Sequence, residues 1–411
     1  MHTLKIIIPK PGDRVVKEKQ LAWQLALMAS QEWNSNQSIN EMVGNRLIDN
    51  AGVAIAAINR DPVCVARAQA MFHKNKNGAP IFGLSNEEKY NCEWAAWANA
   101  VAVRELDFHD NIMAKETCHP GDCIPTILAV AQQKNLTGID LIKGIATSYE
   151  TQLRLSMSIA LNPNKIDHVG HLGPAITSGI GAMLNLDTEI IYQAIQYSAH
   201  TSIFTRQGRK GDLSSWKAFA PGLVGRNAID AIDRAVRGEK GPSPVWEGDY
   251  GIIPILLHKE NENIEISLPG ANAPRDGILS TFTKEHSAGY HGNSIIDLAF
   301  LMRKKIKDLK EQKNLIKVIQ NDVQRIDRLI NDISAASRLD AELSRIEMTK
   351  INLVKLLNTL IKIRATTVKC KIKFFKENDE CFVMGNENRI AQVFDNLIQN
   401  AVSFSKKNNI I

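Results

Sequence analysis

The texture of this chain changes abruptly at one point. All ten His, six Trp, six Tyr and fourteen Pro residues lie at or before His291, and none occurs from Gly292 to Ile411. Glycine also thins out, with only Gly385 after Gly292. Pro and Gly punctuate turns, and aromatic residues fill cores. A simultaneous change in His, Trp, Tyr, Pro and Gly marks a boundary between two segments built on different plans. At 411 residues the chain has room for two or three domains.

The remaining composition excludes several classes. With 44% hydrophobic and 23% charged residues, the chain reads as an ordinary soluble globular protein. Its net charge of +6 is mild, and no long basic run with interleaved aromatics suggests nucleic-acid binding. No apolar run reaches the roughly 18–20 residues of a membrane span. The segment Met1–Lys19 lacks a signal-peptide pattern, so a cytoplasmic location is expected. Six cysteines form no CxxC pair, which points to reduced thiols and gives little support to an iron–sulfur site.

The first segment is Ala-rich and mostly helical in pattern. Helices are expected at Leu21–Met28, Ser38–Ala57, Pro125–Gln133, Leu141–Ile159, Ala175–Leu184 and Glu189–His200. Ser38 and Glu41 suggest a capping box. Between the helices sit loops punctuated by Gly and Pro: Phe108–Gly121, Ile166–Pro174, Arg206–Ser215 and Glu239–Tyr250. In the second segment Leu315, Ile319, Val323, Ile326, Ile330 and Ile333 recur at spacings of three and four, one apolar stripe of a long pairing helix. Strands are expected at Val368–Phe375 and Cys381–Met384, then a helix at Glu387–Phe404.

Three clusters carry chemistry. The run Arg104-Glu105-Leu106-Asp107-Phe108-His109-Asp110 precedes His119-Pro120-Gly121-Asp122. Carboxylates and imidazoles so mixed suit acid–base work, in which one group takes a proton and another gives one. They equally suit a hydrogen-bonded structural loop, and their spacing matches no zinc signature. The second cluster is Asp167-His168-Val169-Gly170-His171, where Gly170 and Gly173 argue for a loop and Asp167 could orient an imidazole. A metal pair and a substrate-lining His with a structural neighbour are both open there. The third holds Arg206, Arg209, Lys210 and Lys217 between glycines. Such cations suit a di- or tricarboxylic acid, or simply a solvated basic loop.

Taken in order, RELDFHD…HPGD…IPTILAVAQ, KIDHVGHLGPA, RQGRKGDLSSWKAFAPG, PSPVWEGDYG and TKEHSAGYHG resemble the methylcitrate dehydratase (MmgE/PrpD) family of hydro-lyases from about Leu21 to Leu309. The resemblance implies metal-independent dehydration of 2-methylcitrate to 2-methylaconitate in propionate catabolism, no cofactor, a tricarboxylate substrate and a homodimer. It implies active-site positions at Asp107, His119 and His168. Lys217 and Lys284 would line the pocket and bind substrate carboxylates, and His119 is the favoured proton-transfer group. The family usually has Thr where this chain has Asn111.

After about Leu309 the sequence departs from that family. KNLIKVIQNDVQRIDRLINDISAASRLDAELSR resembles the second dimerisation helix of a sensor histidine kinase, and GNENRIAQVFDNLIQNAVSFS its ATP-domain N-box, with Asn396 and Asn400 as nucleotide/Mg positions. No His follows His291 to accept phosphate, and the Gly-rich nucleotide loops are not found before Ile411, so a remnant without turnover is expected. The expected architecture is mainly α. A helical domain of the MmgE/PrpD type spans 1–268, and a truncated start of its small α+β domain spans 269–309. A dimerisation-type helix follows at 310–345, and a partial α/β histidine-kinase ATP-binding sandwich at 346–411.

Overall fold

The computed structural model describes residues 1–9, 12–257, 264–286, 290–305, 311, 313–314, 316–318, 320–321, 349–365, 372–376 and 378–404. The chain divides into two compact units, Met1–Leu298 and Ala299–Ile411. The described residues are mainly helical.

In the first unit the N-terminal strand β1 (His2–Ile6) is followed by α1 (Leu21–Ser30), α2 (Gln37–Ala56), α3 (Asp61–Ala70), β2 (Lys74–Ala79) and α4 (Cys92–Glu105). Next come α5 (Ile124–Lys134), α6 (Gly138–Ser158), α7 (Leu172–Met183), α8 (Thr188–Thr201), α9 (Trp216–Val236) and β3 (Ile264–Leu268). Helix α7, LGPAITSGIGAM, has no charged residue and is buried along its whole length. Such a helix is stable only at the centre of a core. Glycines let its neighbours approach. A Cβ on Gly179 would stand 2.6 Å from the Gly144 carbonyl oxygen of α6. Glycine in a helix costs roughly 0.5–1 kcal/mol against alanine, and here the close α6–α7 crossing offsets it.

The ends of α1 are held by buried ionisable groups. Glu247 accepts a hydrogen bond from Leu21 N at 2.6 Å, and Arg275 Nη2 donates to Met28 O at 2.6 Å and Gln31 O at 2.8 Å. These meet the orphan amide and carbonyl groups that every helix leaves at its ends. Strand β1 pairs antiparallel with β3, His2 opposite Leu268, so the start of the chain is fastened to the far end of the helical region. Residues 275–284 then run back over the helices, with Arg46 Nη2 donating to Thr281 O at 2.8 Å and Asn111 N to Phe282 O at 2.8 Å.

Several expectations need correction. The cap of α2 is Asn36, whose side chain accepts from Ile39 N at 2.9 Å, rather than Ser38. Helix α6 begins three residues before Leu141, with a capping box formed by Thr137 and Asp140. Residues His168–His171 are not an open loop but a 3₁₀ turn that runs straight into α7. Replacing Asn36 by Ala should destabilise the first unit by about 1 kcal/mol, measurable as a lowered urea midpoint; an unchanged midpoint would show that the cap is dispensable.

In the second unit, strand Thr349–Asn352 pairs antiparallel with Phe382–Gly385, and helices Leu353–Ala365 and Glu387–Phe404 are joined by an Arg364–Asp395 ion pair. The expected strand at Val368–Phe375 is not found in its described part, 372–375. The apolar stripe from Leu315 to Ile333 lies outside the described residues. Among the described residues no helix is long and apolar enough to cross a membrane.

Candidate active site

Asp107 lies two residues beyond the end of α4, with φ at +52°, the left-handed region that costs a non-glycine residue free energy. That twist turns its carboxylate into a ring of cations and imidazole. Oδ2 is 3.1 Å from Lys217 Nζ, in the first turn of α9. Oδ1 is 3.4 Å from His119 Nε2, 3.6 Å from Arg104 Nη2 and 3.8 Å from Lys284 Nζ. Lys284 Nζ also donates to the Asp107 carbonyl oxygen. Four stretches far apart in sequence therefore meet at one carboxylate. Burial alone would raise the Asp107 pKa. Arg104, His119, Lys284 and Lys217 outweigh it and hold the group well below the usual carboxylate range.

His119 Nδ1 lies 2.9 Å from the Asp110 carbonyl oxygen. A carbonyl only accepts, so Nδ1 carries the hydrogen and Nε2 of the neutral ring presents a lone pair toward Asp107. Burial, helped by the charge of Arg104, pushes the His119 pKa well below 6.5 despite Asp107 and Asp122. The imidazole is thus held neutral, ready to receive a proton, with a carboxylate beside it to stabilise the cation it would become.

A second layer fixes the first. Arg104 is buried and bonds Asp122 Oδ2 at 3.0 Å, and His109 Nε2 stands 2.9 Å from Asp122 Oδ1. The ring of His109 is 5.1 Å from that of His119. Burial would raise the Asp122 pKa, but Arg104 and His109 pull it far down. Asp110 accepts from Gly121 N at 2.8 Å and so holds the turn that carries His119. Arg104, His109 and Asp122 were quoted in the sequence motifs but not singled out. The only sign available was their place in the same dense runs.

The His168–His171 turn separates two roles. His171 Nε2 donates to Ile159 O at 2.9 Å, and burial lowers its pKa to about 4. It is a structural residue. His168 faces the site, its ring 5.8 Å from that of His119. Burial, then Arg104, pushes its pKa to about 3 against the opposing Asp167.

The basic loop divides. Lys217 joins Asp107, and Arg209 bonds Asp167 Oδ2 at 2.8 Å. Arg206 instead exerts its charge on Glu116, a buried carboxylate that accepts from Leu161 N and Asn162 N at 2.7 Å. Lys210 is exposed, with no ion pair to the cluster among the described residues. Asn396 and Asn400 are exposed on the helix Glu387–Phe404 of the second unit. Among the described residues one group of side chains brings possible metal ligands within 4.8 Å of one another, namely Glu285, His286 and Asp297.

A helical scaffold that gathers a neutral imidazole, an ionised carboxylate and two lysines at one point is of the acid–base type. The chain belongs to the MmgE/PrpD family, since residues 19–265 match the family's N-terminal domain. It is 26% identical over 220 residues to a mitochondrial 2-methylcitrate dehydratase of Yarrowia lipolytica (strain CLIB 122 / E 150), covering 50% of this chain and 42% of that protein. It is 25% identical over 276 residues to a 2-methylcitrate dehydratase of Cupriavidus necator, covering 62% and 54%. The other part of the chain is similar to the sensor protein ChvG of Rhizobium meliloti (strain 1021), 45% identical over 109 residues, 24% of this chain and 19% of that protein. The chain thus spans about half the length of the dehydratases and a fifth of the sensor protein.

Proposed function

We propose that residues 1–309 act as a hydro-lyase on a tricarboxylate of the 2-methylcitrate type, without a metal or cofactor. The carrying observation is the meeting of His119, Lys217 and Lys284 on Asp107. Lys217 and the cations around it hold substrate carboxylates. His119 Nε2 takes the proton from the carbon beside a carboxylate, and the C–H electron pair becomes the new double bond. The hydroxyl departs with the C–O pair and a proton from Lys284 Nζ, leaving as water. Asp107, in contact with both groups, stabilises the imidazolium and lies on the path by which its proton returns to Lys284. The natural setting on this reading is propionate catabolism in the cytoplasm, with the chain as a homodimer.

Asp107 and Lys217 remain 29% and 37% exposed, so water reaches the carboxylate. Exclusion of water strengthens electrostatic catalysis, and this opening makes slow turnover the expected outcome. The test is an ultraviolet assay of the full chain with 2-methylcitrate, following the conjugated unsaturated acid. A slow rise above the uncatalysed rate supports the reading, and a folded chain with no rise refutes it.

The likeness to a sensor protein favours a second reading for the remainder: a signalling fragment of the histidine-kinase type that lacks the phosphoacceptor His. Asn396 and Asn400 would then be the trace of a nucleotide/Mg site.

A further inference from the structure

Asp167 is fully buried and serves three partners at once. Its Oδ2 accepts from Arg209 Nε at 2.8 Å. Its Oδ1 accepts from Val169 N at 3.3 Å and lies 3.1 Å from His168 Nδ1. A carboxylate next to Nδ1 favours the tautomer with hydrogen on that nitrogen, which leaves Nε2 a bare acceptor. His168 Nε2 is buried and has no hydrogen-bond partner among the described residues. Arg209 Nη1 donates to Lys217 O at 2.9 Å, while Arg209 Nη2, also buried, has no partner among the described residues. Natural structures leave few such atoms, because each costs desolvation free energy. One buried acceptor and one buried charged donor are therefore left unmet on two side chains that share a single carboxylate.

The backbone makes this arrangement stiff. Asp167 N donates to Phe204 O at 2.8 Å and Arg206 N to Lys165 O at 2.7 Å, so the loop carrying His168 and the loop carrying Arg209 are laced together. A site on braced segments holds its geometry before the ligand arrives.

We infer that Asp167, His168 and Arg209 form a subsite for an α-hydroxycarboxylate group, in which Arg209 Nη2 donates to the carboxylate and His168 Nε2 accepts the hydroxyl hydrogen. This inference rests on the tricarboxylate reading above and goes further. It assigns the hydroxyl-bearing carbon to the Asp167 side of the site, and makes Asp167 a positioning residue and His168 the group that selects hydroxylated acids. A site built to bond a hydroxyl rejects the analogue that lacks it, because the buried partner is then left unpaired.

The experiment is titration calorimetry of the full chain with citrate and with propane-1,2,3-tricarboxylate, which is citrate without its hydroxyl. Citrate should bind about tenfold to a hundredfold more tightly, the range expected when one buried polar atom gains or lacks its partner. In His168→Phe the preference should collapse toward one, with affinity for the deoxy acid little changed. In Asp167→Asn the amide can donate to Nδ1 and move the hydrogen to Nε2, which then donates to the hydroxyl oxygen, so the preference should persist while the ring's nitrogen-15 signature changes to a protonated Nε2. Nitrogen-15 spectra of the wild-type ring should show His168 Nε2 unprotonated in the ligand-free protein. Equal binding of the two acids, a preference that survives in His168→Phe, or a protonated Nε2 in the ligand-free wild type overturns the subsite while the tricarboxylate reading stands. Binding of neither acid overturns both.

Discussion

Replacing His119 by Ala should lower the rate of dehydration by about a hundredfold to ten-thousandfold, the range seen when a positioned general base is lost. The Michaelis constant should move little, because the carboxylate-binding cations stay in place. The expectation rests on geometry. The hydrogen on Nδ1 is engaged by the Asp110 carbonyl oxygen, so the Nε2 lone pair is the only free valence of the ring, and it faces Asp107. Two controls separate loss of the base from loss of structure. Free imidazole should restore part of the rate in His119→Ala, since it can occupy the vacated space. His119→Asn, which keeps a polar group near Asp110, should be as slow as the alanine variant. A rate within a few-fold of wild type in either variant would show that another group takes the proton.

The same residue sets the pH profile. Burial and Arg104 hold the His119 pKa well below 6.5. A base works unprotonated, so a lowered pKa keeps it competent as the pH falls. The acid limb of the rate should lie well below the position of an ordinary histidine. An inflection near pH 6.5 would mean that the ring is solvated in the working enzyme.

Much of this was legible in the sequence, and the exceptions have physical reasons. Amphipathic or capped helices such as α5 and α8 announce themselves by period. Helices α4 and α9 do not. In α4 every residue from Ala95 to Arg104 is buried, so no polar face alternates with an apolar one. In α9, Pro221, Gly222 and Gly225 read as breakers. The structure uses the two glycines for close crossing, since a Cβ on Gly222 would stand 3.0 Å from Trp97 and one on Gly225 2.2 Å from Thr126 Oγ1. The clusters Asp107–Asp122 and Asp167–His171 were visible as dense runs of ionisable residues. What spacing cannot give is which of them meet. Sequence groups Arg206, Arg209, Lys210 and Lys217 as one basic loop. Folding pairs Arg209 with Asp167 and Lys217 with Asp107, leaves Lys210 exposed, and gives Arg206 no ion pair among the described residues. The partner of each cation is set by long-range packing, on which local charge pattern is silent.

Glu247 gives the second large effect, on stability rather than rate. The residue is 1% exposed, Oε1 accepts from Leu21 N, and Oε2 has no partner among the described residues. No cation forms an ion pair with it among the described residues. Burial therefore dominates and raises its pKa from an ordinary 4.5 to about 7, although the amides of Leu21 and Glu247 favour the charged form. Between those two values the folded protein holds a proton that the unfolded chain has released. Stability must then fall as pH rises through this window, by on the order of 3 kcal/mol once both states are ionised. Glu247→Gln keeps the shape and the acceptor but cannot ionise. The variant should match wild type below about pH 4.5 and exceed it by up to that amount at pH 8. Urea unfolding of both proteins across this range measures the difference directly. A gap between them that does not change with pH would mean that Glu247 is already neutral, or already solvated, throughout. The expected widening gap follows from an architecture in which a buried carboxyl, rather than a neutral cap, holds the first turn of α1.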